Sequence, residues 1–114
     1  MTINEFFKHY YDIVCNGDLD GLDQLYHSDS PFLIGVKSQY ESIRKQLEMK
    51  IEIESLELVA KQDDLLVVRD NILFEGSKDG ATQKNRSGNV HILTRKHEGE
   101  WRVHSTSCIS IAGA

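Results

Sequence analysis

Near the C-terminal end, "GEWRVHSTSCIS" (Gly99 to Ser110) gathers His104, three serines, Thr106 and Cys108 into one run. A histidine beside hydroxyls and a thiol is the raw material of nucleophilic catalysis, provided base and nucleophile come within hydrogen-bond reach. Strand periodicity removes that possibility. Neighbouring side chains of a strand point to opposite faces, so His104 cannot reach Ser105. Cys108 shares the face of His104, but four residues at strand rise separate them by ~13 Å. A second candidate is Asp70, a carboxylate interrupting the apolar run "VVRDNIL". Facing a cavity it would serve as a general acid or base; the alternative is an ion pair with a cross-strand Arg or Lys. The acidic group "NGDLDG" places Asn16, Asp18, Asp20 and Gly21 as in the first half of a calcium loop. His27 stands where the bidentate Glu belongs, and a helix cap at Asp18 accounts for the same residues without metal. The five histidines form no close pair and no H-E-x-x-H, so no metal and no cofactor is called for.

The elements that position these residues fall into two halves. Thr2 and Glu5 have capping-box spacing, and Ile3, Phe6, Phe7, Tyr10, Ile13 and Val14 then recur at helical steps. Asn16-Gly17 closes that helix with residues that tolerate a left-handed backbone. Asp18 opens a short second helix with Leu19, Leu22, Leu25 and Tyr26 inward. "SPFLIG" reads as extended, and Ser38 with Glu41 caps a third helix carrying Tyr40, Ile43 and Leu47. From Lys50 the period becomes two, with a phase slip at Ser55 that implies a bulge. "DLLVVRDNILFEG" follows, Asp79-Gly80 marks a tight hairpin, Gly88 marks a kink, and Glu98-Gly99 turns the chain into its last strand. Three helices and a four-stranded antiparallel meander make an α+β layout with helices over one sheet face. Residues 1–114 are expected to form one domain.

A turn on Glu98-Gly99 would pair Val103 with Thr94, Ser105 with Ile92 and Thr106 with His91. Val90, Ile92, Thr94, Trp101, Val103, Ser105 and Ser107 then share the more apolar face, which is assigned to the helix-covered side. His91 and His104 fall on the outer face, where solvent or a second subunit meets them. Tyr10 and Tyr26 lie on apolar helical stripes, their hydroxyls seeking a partner at a cavity edge.

A hydrophobic share of 39% and a charged share of 27% are those of a water-soluble globular chain. The net charge of −5 and the absence of a basic cluster argue against nucleic acid. No apolar run approaches the ~20 residues that span a bilayer. The N-terminus lacks the pattern of a secretory signal, so a cytoplasmic setting with Cys15 and Cys108 as free thiols is expected.

The order of elements, with "GDLDGLDQLYHSDSPF" after the first helix and "DG" followed by "NVHILTRKHEGEWRV", resembles the nuclear transport factor 2-like (SnoaL-like) domains over nearly the whole chain. The resemblance implies a cone in which a curved antiparallel sheet wraps helices, as in the cystatin-like folds. It leaves function open among isomerases, dehydratases, hydrolases, cyclases and assembly domains. Steroid-isomerase relatives carry a carboxylate in the piece after the second helix; "SPFLIG" has none, and Asp29 lies just before it. The expected function is therefore binding of a small apolar or amphipathic ligand rather than catalysis. The pocket would be lined by Tyr10, Tyr26, Phe32, Ile92, Thr94, Trp101, Val103, Ser105 and Ser107. The alternatives are a lyase, isomerase or cyclase using Asp70, and a non-catalytic oligomerisation domain. Apolar residues on both faces of "DLLVV" and "HIL" imply a homodimer through the outer sheet face.

Overall fold

A computed structural model describes residues 2–96 and 99–113. Helix α1 spans Ile3–Asn16 and a 3-10 helix spans Leu19–Gln24. Helix α2 spans Leu33–Gln46, and strands β1 (Glu48–Lys61), β2 (Leu65–Lys78), β3 (Ala81–Thr94) and β4 (Arg102–Gly113) follow. The strands form one antiparallel sheet in the order β1-β2-β3-β4. None of the described helices is long and apolar enough to cross a membrane.

The local chemistry of α1 is as its sequence implies. Thr2 Oγ1 accepts from the Glu5 N–H at 3.1 Å, and the Glu5 carboxylate accepts from the Thr2 N–H at 3.3 Å, a reciprocal cap. Phe7, Tyr10, Tyr11, Ile13 and Val14 are buried from this helix. It stops at Gly17, which is extended (φ −87°) rather than left-handed. The Gly17 carbonyl accepts from Arg44 Nη1 of α2 at 2.7 Å, so a side chain takes over where a left-handed cap was expected. Asp18 caps the 3-10 helix by accepting from the Asp20 N–H at 3.0 Å.

Helix α2 departs from the sequence reading. It begins at Leu33, so "LIG" of the supposed extended piece is helical, and Ser38 lies inside the helix. The entry is built by Ser30, whose hydroxyl donates to the His104 carbonyl at 2.6 Å and accepts from the Phe32 N–H at 3.2 Å. The helix starts there, upstream of the Ser38–Glu41 spacing, with Phe32 at its N-cap and no side-chain cap bond. Ser38 and Glu41 are exposed, while Tyr40 and Ile43 pack against the core.

In the sheet, the β1–β2 register slips between Ile53 and Ser55, where the phase change in the sequence put a bulge. Asp79 (φ 52°) and Gly80 (φ 80°) join Lys78 to Ala81 in a two-residue turn, the backbone combination that suits a twisted hairpin. Gly88 sits at a register shift in β3–β4. A Cβ there would lie 2.8 Å from Ser110 Oγ and 3.3 Å from Asn71 Oδ1, so a side chain at this position would have to displace its cross-strand neighbours. The turn expected on Glu98-Gly99 falls partly outside the described residues.

A second shift in β3–β4, between Ile92 and Leu93, sets which residues face the helices. Ser105 pairs with Ile92 and Thr106 with His91, yet Val103 pairs with Leu93, so His104 is the extra residue of a bulge. Val103 and Thr106, three apart, therefore share the concave face. His91 and Leu93 are sealed there at 1% and 2% exposure. The outward assignment of His91 is thereby corrected, and so is the inward assignment of Ile92, Ser105 and Ser107. One inserted residue turned the alternation over.

Candidate binding site

Three elements converge on Asp70 in the middle of β2. Its side chain is fully buried, and every partner is a neutral donor or a histidine. Tyr11 of α1 donates its hydroxyl to Oδ2 at 2.5 Å. His91 of β3 meets the same oxygen through Nε2 at 2.7 Å, and Asn89 Nδ2 donates to Oδ1 at 2.9 Å. The other ring nitrogen of His91, Nδ1, lies 2.8 Å from Thr106 Oγ1 of β4. With Nε2–H donating to the carboxylate, Nδ1 is left to share a hydrogen bond with the threonine hydroxyl. The chain Tyr11–Asp70–His91–Thr106 thus crosses from α1 through three strands with each polar group matched. The Arg or Lys partner considered for Asp70 is not what the fold supplies.

Aromatic rings of α1 close over this network. Phe7 stands 4.5 Å from the His91 ring, centroid to centroid, and Tyr10 and Tyr11 stand at 6.0 and 6.5 Å. Tyr10 also meets Tyr26 hydroxyl to hydroxyl at 2.7 Å. Burial pushes the Tyr10 hydroxyl well above its ordinary value, reinforced by the neighbouring Tyr26. It does the same to Tyr11, where the Asp70 charge adds to it. Burial also raises Tyr26, to about 12, and Tyr40 further up.

Above the network lies a recess of about 400 Å³ between α1, α2 and the concave face of β3 and β4. Tyr10, Tyr11, Phe32, Val36 and Tyr40 supply apolar and aromatic walls, and Gln39, Asn89, His91, Thr106 and Cys108 supply polar ones. Its size and mixed lining are those of a small-ligand site. A larger hollow of about 530 Å³ beside the Asp79-Gly80 turn is lined by Arg44, Lys45, Glu48, Lys78 and Asp79; those charged surface side chains do not make a ligand site of this kind.

Of the residues expected from sequence to line a pocket, Tyr10 and Phe32 border this recess. Tyr26 is fully buried behind Tyr10. Val103 is fully buried in the core, bridged to Tyr26 by backbone pairing. Thr94 is turned to His27, its Oγ1 2.5 Å from Nε2. Trp101 packs at the edge of the core with the Arg95 guanidinium 4.6 Å from its ring centroid. Ile92 and Ser105 pair with one another on the outward face, and Ser107 is exposed there. Sequence reasoning passed over Tyr11, Asn89 and Thr106. Tyr11 could have been found, since it follows Phe7 by one helical step; Asn89 and Thr106 carried no signal beyond strand polarity. Among the described residues no three His, Cys, Asp or Glu side chains gather as a metal site. The cation near the acidic "NGDLDG" group is Lys37, whose Nζ lies 2.8 Å from Asp20 and 3.1 Å from Asp23. Cys15 and Cys108 are free thiols.

N-terminal helices packed in the hollow of a curved four-stranded sheet define the nuclear transport factor 2-like fold, and known structures bear this out. A protein of Novosphingobium aromaticivorans, provisionally described as an aromatic ring hydroxylase, superposes with a TM-score of 0.79 at 13% identity over 98% of this chain and 90% of its own. A nuclear transport factor 2-like superfamily protein of Salmonella enterica serovar Typhimurium gives 0.77 at 13% identity, over 97% and 87%. A nuclear transport factor 2-like protein of Rhodospirillum rubrum, described as of unknown function in nutrient uptake, gives 0.70 at 19%, over 95% and 97%. At these identities the likeness is one of fold. Within that class the chain belongs to the family of the C-terminal domain of anti-sigma-I factor RsgI9, whose sequence model matches residues 7–112. No curated protein matches the chain in sequence.

Proposed function

We propose that the chain is a non-catalytic small-molecule-binding domain whose ligand occupies the recess between α1, α2 and the concave face of β3 and β4. The observation that carries this reading is the recess of about 400 Å³ set over a buried, fully matched polar network. Pre-formed walls and a rigid polar floor bind a ligand with little reorganisation. Catalysis by Asp70 has less support. Both of its oxygens are occupied by Tyr11, His91 and Asn89, and a general base must reach the proton it takes. His91 likewise has both ring nitrogens engaged. The family name, an anti-sigma factor domain, agrees with a regulatory module that senses rather than converts its ligand.

The test is a titration of the labelled protein with a panel of small aromatic and cyclic compounds, followed by NMR. Binding is expected to shift Tyr40, Asn89 and Thr106 together, and Val36→Trp, which fills the recess, should abolish those shifts. Shifts elsewhere, or shifts that survive Val36→Trp, would refute the assignment. A second copy of the chain is the proposed partner, through the outer sheet face. Val67, Leu73, Val90 and Ile92 are half-buried on that face and give it an apolar centre. Sedimentation should show a dimer that Ile92→Glu converts to monomer; a parent chain that is already monomeric at micromolar concentration removes this partner.

A further inference from the structure

The two edges of the sheet are built differently. Six residues of β1 are charged: Glu48, Lys50, Glu52, Glu54, Glu57 and Lys61. Charges along an edge oppose the approach of another strand. The opposite edge, β4, lacks that protection. Residues 105–113 read STSCISIAG, without a charge or a proline, and Ile109 and Ile111 are 52% and 72% exposed.

One end of this edge is already used by the chain itself. The Val103 N–H donates to the Leu25 carbonyl at 2.7 Å, and the Val103 carbonyl accepts from the His27 N–H at 3.0 Å. This is a parallel bridge between Tyr26 and Val103, so residues 25–27 begin the lane of a fifth strand. The chain then turns away into α2, with the Ser30 hydroxyl bonded to the His104 carbonyl. Among the described residues no other element bonds to the main chain of β4 beyond His104. Val103 fixes the phase of what is left open. Its own main chain faces outward, and His104 and Ile109 are the extra residues of two bulges. Alternation therefore turns the main-chain N–H and C=O of Thr106, Cys108 and Ile111 to the same outer side.

Open groups at strand spacing are matched by another extended backbone. A second copy of β4 fits poorly, because it is paired along its own β3 and brings the same two bulges to the contact. A flexible segment can follow them. Charge sets its character: an acidic or basic side chain laid against residues 105–113 would lose water and meet no counter-charge. We propose that the outer edge of β4 is a strand-addition site for an extended, uncharged segment of another polypeptide, continuing the lane that residues 25–27 begin. The site uses main-chain groups of β4 and does not depend on whether the recess holds a ligand.

The probe is a capped peptide of about eight alternating valines and threonines, added to the isotope-labelled whole chain and followed by NMR and amide hydrogen exchange. Near saturation it should slow exchange at Thr106, Cys108 and Ile111 by about tenfold or more, with no slowing along β1. The fully N-methylated peptide, which has no main-chain donors, should not bind. Versions with glutamate or with lysine in place of threonine should each bind about tenfold weaker. Ile111→Pro removes one outward N–H at a place where an edge strand tolerates proline. It should leave the circular dichroism unchanged and weaken the peptide about fivefold, the worth of one main-chain hydrogen bond. Equal binding of the N-methylated peptide, protection of β1 in place of β4, or no binding at about 5 mM peptide would overturn the proposal. Protection of the same three amides that rises with protein concentration in the absence of peptide would overturn it as well, and would give the edge to a second copy.

Discussion

Asp70 is solvated by protein rather than by water, and its three donors define what the position requires. An ionised carboxylate offers lone pairs to Tyr11, His91 and Asn89 and presents no proton that would need an acceptor. Asp70→Asn turns one oxygen into an NH2 group that confronts those donors. It should destabilise the fold by about 2–4 kcal/mol, the range for breaking a buried charged network. Tyr11→Phe removes one donor and should cost about 1–2 kcal/mol. Because both substitutions act on one network, the double variant should cost less than their sum by about 1 kcal/mol or more. Urea unfolding of the parent, the two single variants and the double variant measures all three quantities; strict additivity with single costs under about 0.5 kcal/mol would contradict this account. The sequence displayed Asp70 plainly, because a charge within "LLVVRDNIL" cannot sit in an apolar layer without partners. It did not display the partners. Tyr11, Asn89, His91 and Thr106 come from three other elements, and only the registers of β2 on β3 and β3 on β4 bring them opposite Asp70.

Elements whose signals are local were legible; those set by a distant contact were not. The reciprocal cap of α1, the Asp18 cap, the Ser55 bulge and the Asp79-Gly80 turn each depend on residues within a few positions of one another, so spacing alone carries them. The start of α2 is different. Its N-cap, Phe32, has no side-chain bond, and the turn leading into it is held by Ser30, whose hydroxyl donates to the carbonyl of His104, 74 positions away. His104 is also the bulged residue of β4. The same bulge inverts the faces on which the sequence reading had placed His91, Ile92, Ser105 and Ser107. A bulge with no glycine and no break in composition leaves the strand pattern looking regular. Ser30 therefore ties together the two features that were misread, the first turn of α2 and the phase of β4. Both elements border the recess, together with α1 and β3. The site is assembled by contacts between residues far apart in the chain, which explains why the fold could be read more fully than its pocket.

At the scale of the whole molecule, the four tyrosines link α1, the segment after the 3-10 helix and α2 into one buried cluster with a shared response to pH. In the unfolded chain each phenol ionises near 10.0, whereas in the fold burial raises all four, Tyr26 to about 12 and Tyr10, Tyr11 and Tyr40 as well. Below pH 10 both states hold every phenol proton, so the tyrosines add no slope to stability. Above pH 10 the unfolded chain loses protons that the fold keeps, the unfolded state binds fewer, and stability falls as pH rises. Each tyrosine contributes a slope of up to about 1.4 kcal/mol per pH unit in this window, and four together exceed the stability of an ordinary domain within two or three units. The native protein should therefore show almost no tyrosinate absorbance around pH 10. It should then gain the signal of all four phenols in one steep step that coincides with loss of the sheet's circular dichroism. In denaturant the same chain should titrate smoothly near 10. Tyr10→Phe and Tyr40→Phe should each remove one phenol from the step and shift it to higher pH, since one fewer proton drives unfolding. A smooth tyrosinate titration centred near 10 with the dichroism intact would show that the cluster is open to water.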